Sequence, residues 1–144
     1  YIDTKRLSLL ATENRVNNRE DTNFVAETSE AAARYITRPV ELINPANELK
    51  IFFDANRPPS SQIDVYYKVR TSGSGIPLED QPWEKMELDS SIPSNENYES
   101  FSEYSFTQSF PQDFLVYAVK IVMRSGNEAR VPRIRDLRVI ALKD

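Results

Sequence analysis

The sequence contains no cysteine and no histidine among its 144 residues. The missing side chains exclude a Cys–His nucleophile pair and a Ser-His-Asp triad. They also exclude zinc fingers, haem and iron–sulfur ligation by side chains, so any metal site would have to be all oxygen. Disulfides are excluded as well, so packing alone must hold the fold. Oxygen-ligated metals and carboxylate chemistry stay open, but the sequence has no EF-hand type calcium-loop motif and its carboxylate spacing defines no catalytic pair. We therefore expect no cofactor, no metal centre and no enzymatic activity.

Long apolar runs are also missing. The longest, residues 114–119, has the length of a strand and falls far short of the roughly 20 residues that a membrane helix needs. The 18 basic and 22 acidic side chains give a net charge of −4, which offers no attraction to nucleic acid. We therefore expect neither a membrane nor a nucleic acid among the partners.

The chain divides by composition into an N-terminal stretch and a body. Residues 1–30 are rich in Asn, Thr, Glu and Arg and sustain neither the helical nor the strand period, which predicts an extended N-terminal arm. Residues 31–144 form one domain of ordinary length. Because the chain opens at Tyr1 and not at a methionine, we expect a fragment of a longer chain.

Short β-branched and aromatic runs fill the body, separated by Pro, Asn, Ser and Gly clusters. This pattern is typical of an all-β protein and predicts a β-sandwich of jelly-roll kind. The predicted strands are residues 34–37, 40–43, 49–55, 63–71, 83–88, 101–106, 114–124 and 134–142.

Alternation predicts which strand faces are packed. In residues 63–70 apolar side chains alternate with Asp64, Tyr66 and Lys68, so one face is expected to be packed and the other solvated. Two of the predicted long strands, residues 114–124 and 134–142, carry apolar residues on their second face as well.

Three apolar residues on these second faces are candidate interface positions. Residues 114–123 are apolar on both faces, with Lys120 interrupting one of them. A strand of this kind needs a cover on each side. We expect the N-terminal arm or another subunit to cover Val116 and Val122. Ile140 in the last strand is expected to need a cover of the same kind.

Arginines are dense near the C-terminus, and Arg133 and Arg135 are the candidate interface residues among them. Acidic residues lie between the arginines, and strict alternation would divide the arginines between two faces. An intersubunit or intramolecular ion-pair role is therefore favoured over phosphate binding, since Arg is enriched at protein–protein interfaces.

Two aromatic residues suggest an alternative function. Tyr66 lies among charged residues and Trp83 follows a proline at a strand start, so both are candidates for a sugar-stacking platform. The alternative is therefore a carbohydrate-binding module for cell-surface recognition. A carboxylate-dependent hydrolase is also chemically open, but Glu84 and Glu87 fall on opposite faces of a strand.

Six stretches together resemble one family, and the last is the most distinctive: residues 13–19, 33–42, 63–68, 82–83, 120–123 and 131–142. The set is similar to a module in virion structural proteins of T4-like tailed phages, especially those infecting marine cyanobacteria. These proteins belong to the tail and baseplate. The resemblance implies an assembly part of the virion and not a catalyst, with other virion proteins or copies of itself as partners. It provides no active site to carry over.

Overall fold

The computed structural model describes residues 9–10, 31–125 and 130–144, and over these ranges the chain is all-β. The strands are β1 (Leu9–Leu10), β2 (Ala31–Ile36), β3 (Val40–Asn56), β4 (Ser61–Thr71), β5 (Glu84–Lys85), β6 (Ser102–Ser125) and β7 (Arg133–Leu142). A 3-10 turn lies at Leu78–Asp80. The predicted fold class is thus confirmed. Of the predicted arm, only β1 lies within the described residues.

All pairings among these strands are antiparallel, and they join into one sheet. The order is β1-β7-β3-β6-β4-β5, and β2 pairs with β6 beside β3. Strand β6 is therefore central, with β3 and β2 along one side and β4 along the other.

The sheet folds over because β6 doubles back on itself. Its first residue, Ser102, pairs with Ala55, and its last, Ser125, pairs with Ser61, only six positions later in the chain. A strand of 24 residues would span roughly 80 Å if it were straight. Its two ends could not then both lie beside the short connection between β3 and β4, so β6 must bend. Arg57, between β3 and β4, links the start of β6 to the start of β4: its Nε donates to the Tyr104 hydroxyl at 3.0 Å and its Nη1 to the Ser61 carbonyl at 3.2 Å.

Two half-sheets face each other as in a sandwich. We call β7, residues 46–56 of β3 and residues 102–109 of β6 the first half-sheet. The second half-sheet comprises β2, β4, β5 and residues 114–125 of β6. Side chains from both halves form one buried core, in which Phe53 stacks on Tyr104 at 5.4 Å between ring centroids. The jelly-roll connection order stays a prediction.

Bulges correct the predicted strand bounds and faces. Phe114 pairs with Thr71 while Val116 pairs with Arg70, so β6 carries one extra residue there. The extra residue places both Phe114 and Tyr117 in the core, where strict alternation puts them on opposite faces. The strands predicted separately at 101–106 and 114–124 are one continuous strand, as are those at 40–43 and 49–55.

A second bulge sits in β7. Arg135 pairs with Asp54 and Arg138 with Phe52, so β7 uses three residues where β3 uses two. Asp136 adopts the left-handed conformation at φ 56°, which aspartate tolerates better than most residues. The bulge brings Arg133, Arg135 and Arg138 to the same side of the sheet, so the expected division of the arginines is wrong.

Candidate functional site

The outer face of the second half-sheet is covered. We call Asp64, Tyr66, Ala118, Lys120 and Val122 the covered face, because all five are buried although they point away from the core. Val122 is 2% exposed and Lys120 is fully buried. The predicted solvation of this side of β4 is therefore wrong for Asp64 and Tyr66. The arm expected to cover Val116 and Val122 lies outside the described residues, and Val116 itself is half-buried.

Asp64 is held by several donors within the covered face. The Gln62 amide nitrogen donates to both of its carboxylate oxygens, at 2.8 and 3.0 Å. Lys85 Nζ lies 3.6 Å from one oxygen and Arg124 Nη1 lies 3.9 Å from the other. A buried carboxylate keeps its charge only with such compensation, so this group is well accommodated.

Cations occupy the ring faces of the two predicted sugar-platform residues. Lys120 Nζ lies 4.5 Å from the Tyr66 ring centroid and 4.9 Å from that of Trp83. Lys68 Nζ lies 4.7 Å from the Trp83 ring. Trp83 is half-buried, and Tyr66 is only 7% exposed. The structure brings the two residues together, but as a cation–π cluster in which the ammonium groups lie against the rings.

The outer face of the first half-sheet is open. We call Glu48, Lys50, Phe52, Arg138, Ile140 and Leu142 the open face, since they share the outward side of paired strands. Ile140 and Leu142 are two positions apart on β7 and are 41% and 40% exposed. Charged groups border them: Lys50 Nζ lies 3.3 Å from Glu48 Oε1, and Arg138 lies over the Phe52 ring at 5.5 Å.

Beside the open face, guanidinium groups and aromatic rings alternate. The Arg133 guanidinium lies 3.9 Å from the Tyr98 ring centroid and 5.1 Å from that of Phe101. The Arg135 guanidinium lies 3.9 Å from the Phe101 ring, and its Nε is 3.6 Å from the Asp54 carboxylate. These two predicted interface arginines thus fasten the 91–101 segment onto β7 within one chain.

A third apolar feature lies along the β2–β3 edge. Ile36, Val40 and Ile43 are all exposed there, Ile43 by 96%. Ile36 and Val40 are opposite Lys120 and Tyr117 of β6. Sequence reasoning did not single out these residues.

A cleft opens where β6 bends. It has a volume of about 380 Å³ and lies between β4, the 71–76 loop, residues 81–84 and the bend at residues 108–111. In its wall the Tyr67 hydroxyl donates to Glu84 Oε2 at 2.7 Å. Burial, together with the hydrogen bond to Glu84 and its charge, raises the pKa of Tyr67 far above its ordinary value. Tyr67 therefore keeps its proton at neutral pH and donates it to Glu84 in a hydrogen bond.

The sequence hardly signals this cleft. Tyr67 and Glu84 are 17 positions apart, and Gln108 comes from a distant strand. One local sign was available, because Pro111 inside an otherwise strand-like run marks an irregularity.

Comparison with protein-family models, with curated proteins and with solved structures returns no match. The described ranges hold no helix that is long and apolar enough to cross a membrane. Within the same ranges, no three acidic side chains lie close enough together to hold a metal ion.

Proposed function

We propose that this chain is a non-enzymatic structural domain of a tailed-phage virion protein in the tail or baseplate region. It acts through protein–protein contacts with other virion proteins or with copies of itself. The observation that carries the proposal is the open face, where Ile140 and Leu142 remain exposed side by side.

The open face has the composition of a protein interface. Its centre is apolar, and its margin carries Glu48, Lys50 and Arg138. An apolar centre with a polar margin is the usual anatomy of such surfaces, in which arginine and aromatic residues are enriched. Arg138 lies over the Phe52 ring, so an arginine and an aromatic residue occur together on this face.

The resemblance to phage proteins and the open face fall on the same strand. The most distinctive stretch, residues 131–142, comprises β7 almost entirely. Ile140 and Leu142 lie in that stretch, and Arg133 and Arg135 support it from the side. The most distinctive of the six stretches thus supplies the β7 side of the open face, and β3 supplies the other side.

Particle assembly tests the contact. In a phage whose gene carries Ile140→Asp, we expect the protein to be lost from purified particles, as measured by quantitative mass spectrometry of virions. Ile76→Asp is the control, because Ile76 is also an exposed isoleucine and lies outside the open face. Normal incorporation of the Ile140→Asp protein would contradict the proposal for this face. Loss with Ile43→Asp alone would place the contact on the β2–β3 edge instead.

Location tests the phage assignment separately. An antibody raised against the domain should label one end of the tail in negative-stain electron micrographs of the particles. Particles that carry no label, or label only on the head, would contradict the tail or baseplate assignment.

A further inference from the structure

We propose that the cleft at the bend of β6 binds one neutral sugar ring, a pyranose unit of a polysaccharide or glycan. This inference does not rest on the proposed assembly role, since no residue that lines the cleft belongs to the open face, although the two adjoin where the Ser109 hydroxyl donates to Glu48 at 3.3 Å. A volume of about 380 Å³ lies at the lower end of the range of small-molecule sites. The cleft therefore suits a ligand of this size.

The charge of the lining selects against anions. Glu84 is the only charged residue among the described residues that line the cleft, and none of them is Lys or Arg. A phosphate or carboxylate ligand would meet the Glu84 carboxylate without a compensating cation. The lining is therefore suited to an uncharged ligand.

The polar groups suit hydroxyls, which both donate and accept. Glu84 accepts from Tyr67 through one oxygen at 2.7 Å, and an ionised carboxylate has about four lone-pair sites. Gln108 Nε2 donates to the Ser109 carbonyl at 3.1 Å, which uses one donor of an amide that has two donors and an acceptor. Ser74 and Gln81 add a hydroxyl and a second amide to the lining. Together these groups provide the mixed donors and acceptors that a polyhydroxylated ring requires.

The remaining wall suits the C–H face of a sugar. Phe110 packs edge-to-face against Tyr67 at 5.3 Å and against Phe114 at 5.1 Å, which fixes its ring. Val69 and Pro111 continue this apolar wall. Rigid aromatic walls bind with little loss of side-chain entropy, so the site is formed before the ligand arrives.

The cleft is a better sugar site than the platform predicted from sequence. Tyr66 and Trp83 have ammonium groups against their rings, whereas the cleft is concave and combines apolar and polar walls. This distinction gives the test its controls.

Saturation-transfer NMR and calorimetry on the full chain test the proposal. The probes are the methyl glycosides of glucose, galactose and mannose, with N-acetylglucosamine and glucuronic acid. At least one neutral probe should bind, and glucuronic acid should bind more weakly. Gln108→Ala should weaken that binding roughly tenfold, the loss expected for one or two hydrogen bonds. Glu84→Gln should reduce the discrimination against glucuronic acid, since it removes the charge and keeps the shape.

Trp83→Ala is the control variant and should bind the neutral probe as the unaltered chain does. Each variant is checked by circular dichroism and thermal unfolding before titration. Failure of every neutral probe to bind would overturn the proposal. Neutral-probe binding that is unchanged in Gln108→Ala, or that is lost in Trp83→Ala, would also overturn it.

Discussion

The two outer faces of the sandwich differ in whether their charged side chains are buried or in contact with solvent. On the covered face, Lys120 and Asp64 are buried and are compensated by rings and by neighbouring polar groups. On the open face, Lys50 and Arg138 stay in contact with solvent while Ile140 and Leu142 are left partly exposed. On these outer faces, the burial of a side chain therefore does not follow its polarity.

This difference bears directly on function. A face whose charged groups are already compensated within the chain gains little from a partner, whereas exposed apolar area is stabilised by being covered. The open face is therefore the better candidate for assembly contacts.

Val122→Asp should separate the two faces most clearly. It places a carboxylate at a buried position beside the Asp64 carboxylate, across the strand pair, and should cost roughly 3–5 kcal/mol of unfolding free energy. Ile140→Asp makes the same change on the open face and should stay within about 0.5 kcal/mol. Urea unfolding of the two variants measures the difference. Similar values for both would show that Val122 is not covered in solution.

Removal of a carboxylate should also lower the free energy of unfolding more on the covered face than on the open side. Asp64→Ala removes a carboxylate that Gln62, Lys85 and Arg124 all face and should cost about 2 kcal/mol of unfolding free energy. Asp54→Ala is the matched change on the open side, where the carboxylate is more exposed and faces Arg135 at 3.6 Å. It should cost less than about 1 kcal/mol. Equal losses in thermal or urea unfolding would refute the contrast.

The stacked arginines offer a third test within the first half-sheet. Arg133→Lys keeps the charge but loses a planar group held between Tyr98 and Phe101, and should cost about 1.5 kcal/mol. Arg138→Lys is the control, because that side chain is exposed and lies 5.5 Å from one ring, and should change stability by less than about 0.5 kcal/mol. Hydrogen exchange of the 91–101 segment should rise only in Arg133→Lys. Unchanged exchange would mean that the stack does not hold that segment.

Much of the fold was predictable from the chain. Alternation identified the core face of β3 at Leu49, Ile51 and Phe53 because an undisturbed strand has a side-chain period of two. The all-β class followed from turn residues between β-branched runs. Both signals are local, so one sequence suffices to read them.

Features that depend on bulges or on remote strands were not predictable. One extra residue in β6 put Phe114 in the core, and a left-handed Asp136 moved Arg138 to the side of Arg135. The cation that lies over the Tyr66 ring, Lys120, is on a strand far away in sequence. The cleft similarly requires the bend of β6 to bring Gln108 near β4. Such juxtapositions leave almost no mark on local composition.

The dependence of stability on alkaline pH tests the second half-sheet by itself, and we expect it to be the smallest of these effects. Burial raises the pKa of Tyr117, and burial together with Glu84 raises that of Tyr67; both residues lie in this half. An unfolded tyrosine ionises near pH 10, so below about that pH both states are protonated and the contribution to stability is complete. Above it the unfolded chain releases protons that the folded chain retains, and stability falls as pH rises.

Tyr67→Phe removes one of these groups. At neutral pH it should cost about 0.5–1 kcal/mol through the lost hydrogen bond to Glu84. Between about pH 9 and pH 11 its stability should fall less steeply than that of the unaltered chain, because only Tyr117 of the pair is left to resist ionisation. Urea unfolding at a series of pH values measures both slopes. Parallel slopes would mean that the Tyr67 hydroxyl titrates alike in the folded and unfolded chains. The hydrogen bond to Glu84 would then not hold the hydroxyl proton of Tyr67 in place.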